Sequence, residues 1–177
     1  MKFKLLILLF FLFNISCVDV YQEHPLDAGQ ISTKSSLPDG YKICVAGDSG
    51  TGTFEQQWVA TALYNELCNE IRIVGDVIYE NGLNGPTDPR FYERFYFPYQ
   101  DIIEDQGLNF FMAMGNHDYR RKPEAWLFLA HKYSFIIFPS FYYAENIGDV
   151  CFVTFDTNDQ LAEQSQWFSF SVMPVMQ

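Results

Sequence analysis

The sequence predicts an α/β domain built on parallel strands. Short apolar runs alternate with stretches of helical periodicity, and three of those runs end in glycine followed at once by a polar residue. Aromatic residues make up 18% of the chain, which favours a sheet-rich or mixed domain over a helical bundle. A hydrophobic fraction of 49% over 177 residues is enough for one domain with a sizeable core.

The N-terminus reads as an address. MKFKLLILLFFLFNISC places Lys2 and Lys4 before an apolar run from Leu5 to Phe13 and then small or polar residues. That is the layout of a secretory signal peptide, taken here as residues 1–16. The run is shorter than the roughly 20 apolar residues of an ordinary membrane span. Asn14-Ile15-Ser16-Cys17 resembles a loose bacterial lipobox, so lipid anchoring through Cys17 and simple cleavage both stand open. Either outcome is extracytoplasmic: secreted, periplasmic or lipid-anchored.

Residues 17–40 are polar, contain Pro25 and Pro38-Asp39-Gly40, and are expected to form a tether. Tyr41–Gly47 is expected as a buried strand. Thr53 and Gln56 fit a capping box, and Val59, Leu63 and Leu67 give an amphipathic helix over 54–69. Ile71–Gly75 is the second strand, so the unit fits a right-handed parallel crossover. Gly82–Asp88 is a loop, and a helix is expected near Arg90–Tyr96. Leu108–Gly115 is the third strand. Pro123–Tyr133 is helical, with proline in its first turn and His131 partly buried. Phe141–Asn146 and Val150–Asp156 suggest a hairpin, and Leu161–Phe168 begins another helix. No internal repeat is present. Cys44, Cys68 and Cys151 lie in apolar runs and read as small buried hydrophobes. One disulfide is compatible with the sequence, but its pairing cannot be assigned.

The formal net charge of −11 argues against a nucleic-acid partner, because the phosphate backbone would repel the chain. It is compatible with hard cations, and equally with a role in solubility.

The chemistry is concentrated at three strand ends: Gly47-Asp48, Gly75-Asp76 and Gly115-Asn116. In open α/β sheets, loops at the carboxyl ends of strands converge on the ligand crevice. Two carboxylates and an amide oxygen form a hard-oxygen donor set for divalent or trivalent cations. One carboxylate between two ions could bridge them at about 3.5–4 Å, as in two-metal hydrolases.

These segments resemble a known family. Gly47-Asp48-Ser49-Gly50 is similar to the GDxG block of calcineurin-like metallophosphoesterases. Gly75-Asp76-Val77-Ile78-Tyr79 resembles the GDxxY block of purple (tartrate-resistant type) acid phosphatases, and Gly115-Asn116-His117-Asp118 resembles GNHD. The resemblance runs from about Tyr41 to Trp167. It implies an α/β/β/α sandwich, present as roughly its first half: a partial metallophosphoesterase domain over 41–168, with an atypical tail at 169–177. It implies a binuclear metal centre, Fe(III) with Fe, Zn or Mn(II). Asp48 would bind the ferric ion, Asp76 would bridge both metals, Tyr79 would be the phenolate on iron, and Asn116 would bind the second metal. His117 would contact the phosphate or protonate the leaving alcohol, with Asp118 as the carboxylate expected to orient its ring. The implied reaction is hydrolysis of phosphate monoesters, on a small molecule or a protein, by metal-bound hydroxide.

The family pattern continues with VxxH and GHxH blocks, whose histidines complete both metal shells. The histidines here are His24, His117 and His131, and none follows Trp167. The expectation is therefore an impaired site in a truncated or frameshifted product, with apolar sheet faces left exposed. The alternatives are a catalytically inactive exported protein binding metal or phosphate, and a phosphodiesterase or nucleotidase of the same superfamily.

Overall fold

A computed structural model describes residues 29–34, 38–148, 150–159 and 161–169. The expected signal peptide, Cys17 and His24 lie outside these residues, as does most of the tail.

The chain is a mixed α/β structure. Strands β2 (Ile43–Ala46), β3 (Glu70–Val74), β4 (Phe110–Ala113) and β5 (Ile136–Ile137) form a parallel sheet in that order. Helix α1 (Phe54–Asn65) makes the crossover between β2 and β3. A π-helical turn at Tyr92–Tyr96 and the short helix α2 (Gln100–Glu104) lead into β4. Helix α3 (Ala125–Lys132) precedes β5. A second sheet has the order β1 (Gly29–Lys34), β6 (Tyr143–Ile147), β7 (Val150–Thr154), with β6 and β7 antiparallel. Helix α4 (Leu161–Trp167) follows.

Alternation along β3 and β4 divides the first sheet into two faces. Ile71, Ile73, Phe110 and Met112 are buried in one core cluster with Ala60 and Leu63 of α1 and Trp126 and Leu129 of α3. Much of that core is aromatic. Phe95 meets Phe110 at 5.3 Å and Trp126 at 5.4 Å between ring centres, and Tyr99 meets Phe110 at 5.4 Å. Tilted and edge-on pairs of this kind suit the ring quadrupole.

The other face meets the second sheet through a buried charge. Arg72 on β3 donates to Glu70 Oε1 from Nε at 2.9 Å and from Nη2 at 2.7 Å. It also donates to Glu145 on β6. Tyr41 holds the other Glu70 oxygen at 2.9 Å. The guanidinium lies over Phe111 at 4.7 Å and Phe152 at 4.0 Å, so rings from both sheets enclose it. Burial works against its charge, yet Glu145 and Glu70 outweigh burial and hold its pKa above the usual range. Beside this ion group, Tyr143 donates from β6 to the Met112 carbonyl at 2.9 Å. A cleft of about 330 Å³ runs between the sheets, lined by Val74, Phe111, Met114 and Phe152 among others.

Several sequence expectations are corrected. The tether is not wholly irregular, because Gly29–Lys34 pairs in parallel with β6; as an edge strand it can be polar and glycine-bearing. The capping box is not formed. Thr53 makes no side-chain cap, and Gln56 Oε1 accepts from the Gly52 amide at 2.7 Å while its Nε2 donates to the Arg94 carbonyl. Helix α1 stops at Asn65 rather than 69, since Leu67 takes a left-handed φ of 52° and Cys68 is disulfide-bonded to Cys44 on β2. Its buried residues are Gln56, Ala60 and Leu63, while Leu67 is 72% exposed. The cysteines are not free hydrophobes, for Cys151 is disulfide-bonded too. His131 is exposed, because α3 buries Ala125, Trp126 and Leu129 instead.

Removing Arg72 would leave Glu70 and Glu145 facing each other without a cation. Arg72→Ala is expected to cost about 3–5 kcal/mol, the usual penalty for breaking a buried pair from one side. Urea unfolding of the two proteins measures it.

Candidate functional site

The expected convergence of strand ends depends on register. Ala46 lies beside Ile73, and Val74 beside Ala113, so β2, β3 and β4 finish next to one another. The turns that follow are packed backbone against backbone. A Cβ on Gly115 would sit 2.1 Å from Asp76 Oδ1, and one on Gly50 would sit 1.7 Å from the Val77 carbonyl. Glycine is required at both places because no side chain fits. Asp48 and Asp76, one residue after each strand-end glycine, have φ of 54° and 51°. This left-handed conformation is strained for most residues, better tolerated by Asp, and concentrated at functional sites.

The strain aims both carboxylates at one oxygen. The Tyr79 hydroxyl lies 2.8 Å from Asp48 Oδ1 and 2.8 Å from Asp76 Oδ2. A phenol has one hydrogen, so two carboxylates share a single proton. Burial, then the hydrogen bonds to Asp48 and Asp76, push the Tyr79 pKa well up. Two carboxylates held on one neutral phenol form a site whose charge suits a cation, which would reverse that shift.

Asp76 is fixed from its other side. Its Oδ1 accepts from the His117 amide at 2.9 Å. The His117 ring lies 4.5 Å from the Tyr79 ring, and its Nδ1 is 2.6 Å from the Glu80 carbonyl oxygen. A carbonyl only accepts, so Nδ1 carries the hydrogen and Nε2 faces Asp76 Oδ2 at 4.0 Å. The carbonyl of Glu80, and not Asp118, therefore orients the ring.

Asp118 does something else. Fully buried, it accepts from the amides of Val77 at 3.1 Å, Ile78 at 3.2 Å and Gly115 at 3.0 Å. Burial pushes its pKa up to about 6 against those three bonds, and the Asp76 charge adds to the rise. The same turn is held from the hairpin. Tyr119 donates to the buried Asp156, and Asn158 donates to the Met114 carbonyl at 3.0 Å.

Asp48, Asp76, Tyr79 and His117 are thus brought together. Asn116 lies in the same turn, between two residues that touch Asp76, but its side chain is exposed and makes no hydrogen bond to the group. Among the described residues, no group of three or more His, Cys, Asp or Glu side chains is arranged to hold a metal ion. Sequence reasoning missed the anchoring carbonyls of Tyr79 and Glu80. Arg94 donates to the first, and Arg120 to the second at 3.2 Å. The signal for Arg120 was present in the run Arg120-Arg121-Lys122, one residue beyond the GNHD block.

No protein-family model matches the chain, and no curated protein does. Among solved structures it is similar to "GAP50 the anchor in the inner membrane complex of Plasmodium", with 20% identity and a TM-score of 0.48. The match covers 64% of this chain and 39% of that one, so the chain spans about two fifths of that structure's length. Among the described residues, no helix is long and apolar enough to cross a membrane.

Asp118→Ala would strip the acceptor from three backbone amides at once. Each buried unsatisfied donor costs about 1–3 kcal/mol, so a loss of at least about 3 kcal/mol is expected in denaturant unfolding.

Proposed function

We propose that this chain is an exported, metal-dependent phosphoesterase of the acid-phosphatase type, acting on phosphate monoesters. The observation that carries this reading is the Tyr79 hydroxyl held between Asp48 and Asp76 at 2.8 Å from each. The GD, GDxxY and GNHD segments supply these groups in the order the metallophosphoesterase resemblance calls for. Asp48, Asp76 and Tyr79 would hold a cation, with Asn116 bordering a second position in a binuclear Fe(III) and Fe, Zn or Mn(II) centre. When bound, such ions polarise a phosphoryl oxygen and lower the pKa of water. The chain's own part is to hold Asp76 through the His117 amide, to place the imidazole edge beside it, and to fix the Nδ1 proton on Glu80.

Export is supported by the Cys44–Cys68 disulfide and by the bonded state of Cys151, since disulfides persist in oxidising compartments. They add to the signal-peptide layout of residues 1–16.

A second reading is an inactive exported binding protein. It is favoured by Asn116 standing clear of the acid pair, which leaves two carboxylates and one phenol as the converged donors. Loading the protein with Fe(III) separates the two. A phosphatase of this type binds iron with a visible phenolate charge-transfer band and cleaves an aryl phosphate. Tyr79→Phe should abolish the band, and Asp48→Asn should weaken metal retention by at least about 10-fold. Wild-type protein that keeps no iron after desalting would sink the phosphatase reading.

A further inference from the structure

We propose that Arg120 is the residue that grips the anionic group of the ester, and so sets the preference of this site for doubly charged phosphate. The proposal rests on the phosphoesterase reading and extends it to a residue outside the motifs.

The geometry begins at one carbonyl. Glu80 O accepts from His117 Nδ1 at 2.6 Å and from Arg120 Nη1 at 3.2 Å. The guanidinium and the imidazole are therefore anchored at the same point, on the rim of the Asp48–Tyr79–Asp76 group. The backbone reinforces this, because the Arg120 amide donates to the His117 carbonyl at 3.2 Å across a short 3₁₀ turn, Asp118–Arg120. That turn is held by two of its own side chains, Asp118 accepting from the Gly115 amide and Tyr119 donating to Asp156. An exposed arginine would ordinarily sample many rotamers. This one is tied at its tip and at its base.

A guanidinium has five N–H donors, and the Glu80 carbonyl takes one. The Arg120 side chain has no other hydrogen bond or ion pair among the described residues, and the residue is exposed. The free donors form the planar fork that matches a phosphate edge. An anion also needs a counter-charge here, because Asp48 and Asp76 repel it wherever cations do not fully neutralise them. The chain has 22 acidic residues against 11 Lys and Arg, yet three consecutive exposed cations, Arg120, Arg121 and Lys122, follow the GNHD block. Only Arg120 of the three is tied to the carbonyl that also anchors His117.

The test is a titration of inorganic phosphate into the full chain, metal-loaded and metal-free, followed by calorimetry and by the His117 amide signal. Arg120→Gln should weaken phosphate by about 10-fold or more, the worth of a charge-assisted hydrogen bond. Arg120→Lys should recover part of it, as charge without the fork. Arg121→Gln should stay within about 2-fold of wild type, as expected of an exposed rim charge. Thermal melts of the variants should coincide, because the lost bond is exposed. Equal phosphate affinity in wild type and Arg120→Gln overturns this inference and leaves the metal reading intact. Wild-type protein that holds phosphate through Arg120 but retains no iron defeats the phosphoesterase reading and leaves Arg120 as an anion site. Wild-type protein that holds iron but no phosphate overturns the assignment of Arg120.

Discussion

The Asp118 carboxylate holds the turn after β3 against the turn after β4 through three backbone amides. Parallel strands do not close onto each other at their carboxyl ends without help, since each chain leaves the sheet in its own direction. A buried acceptor with two oxygens and several lone pairs can gather donors from both departing segments. The gain must exceed the desolvation of a carboxylate, and its raised pKa shows how heavily burial counts against the charge. The glycines follow from the same constraint. A Cβ on Gly82 would lie 2.5 Å from the Asp118 carbonyl, and one on Gly75 would lie 2.9 Å from Gly115 Cα. The turns are drawn close enough to admit backbone only, and Asp76 is left with one direction in which to point.

Strand β3 joins two charged features of the described structure. β3 holds Arg72 between the sheets, and Asp76 lies just past its end. On the helical side the sheet is packed with buried rings and aliphatic side chains. On the other side an ion group and a cleft take the place of a continuous apolar layer. A charge buried between sheets contributes little net stability compared with a well-packed apolar pair. It does fix register, because a shift of β3 by one residue would turn Arg72 into the aromatic core and Ile71 towards Glu145. Register is what the site needs, since Asp48, Asp76 and Asn116 share one rim only if β2, β3 and β4 end level.

Much of this was legible in the sequence, for identifiable reasons. The strands Ile43–Ala46, Glu70–Val74 and Phe110–Ala113 announce themselves by apolar runs ending in glycine, and the hairpin by its turn. Strand β5 is two residues long and leaves no period to detect. Helix α1 misled because Val59 and Leu67 match a helical spacing, while the buried face uses Gln56, a polar residue with two partners of its own. The pairing of Cys44 with Cys68 is a tertiary fact, and it shortens the helix that sequence periodicity would prolong. The candidate site residues divide in the same way. Asp48, Asp76, Tyr79 and His117 sit in recognisable blocks. The group that orients His117 is a backbone carbonyl, which has no residue identity to recognise, and the neighbouring Asp118 drew attention because adjacency suggested contact.

The overall acidity of the chain says little about whether an anion can enter this rim. Charges separated by more than about 8–10 Å of solvent are largely screened at physiological ionic strength, so the net −11 is felt weakly and the groups within the rim decide. Asp76 is buried, His117 is half-buried, and Asp48 and Arg120 are exposed. Asp48 and Asp76 face the shared phenol, the His117 ring lies beside it, and Arg120 is tied to the Glu80 carbonyl that also holds His117. Under the proposal for Arg120, an entering dianion would meet a fixed cation as well as the carboxylates. Glu80, through a backbone atom that cannot titrate, ties the guanidinium and the imidazole to one point beside the acid pair.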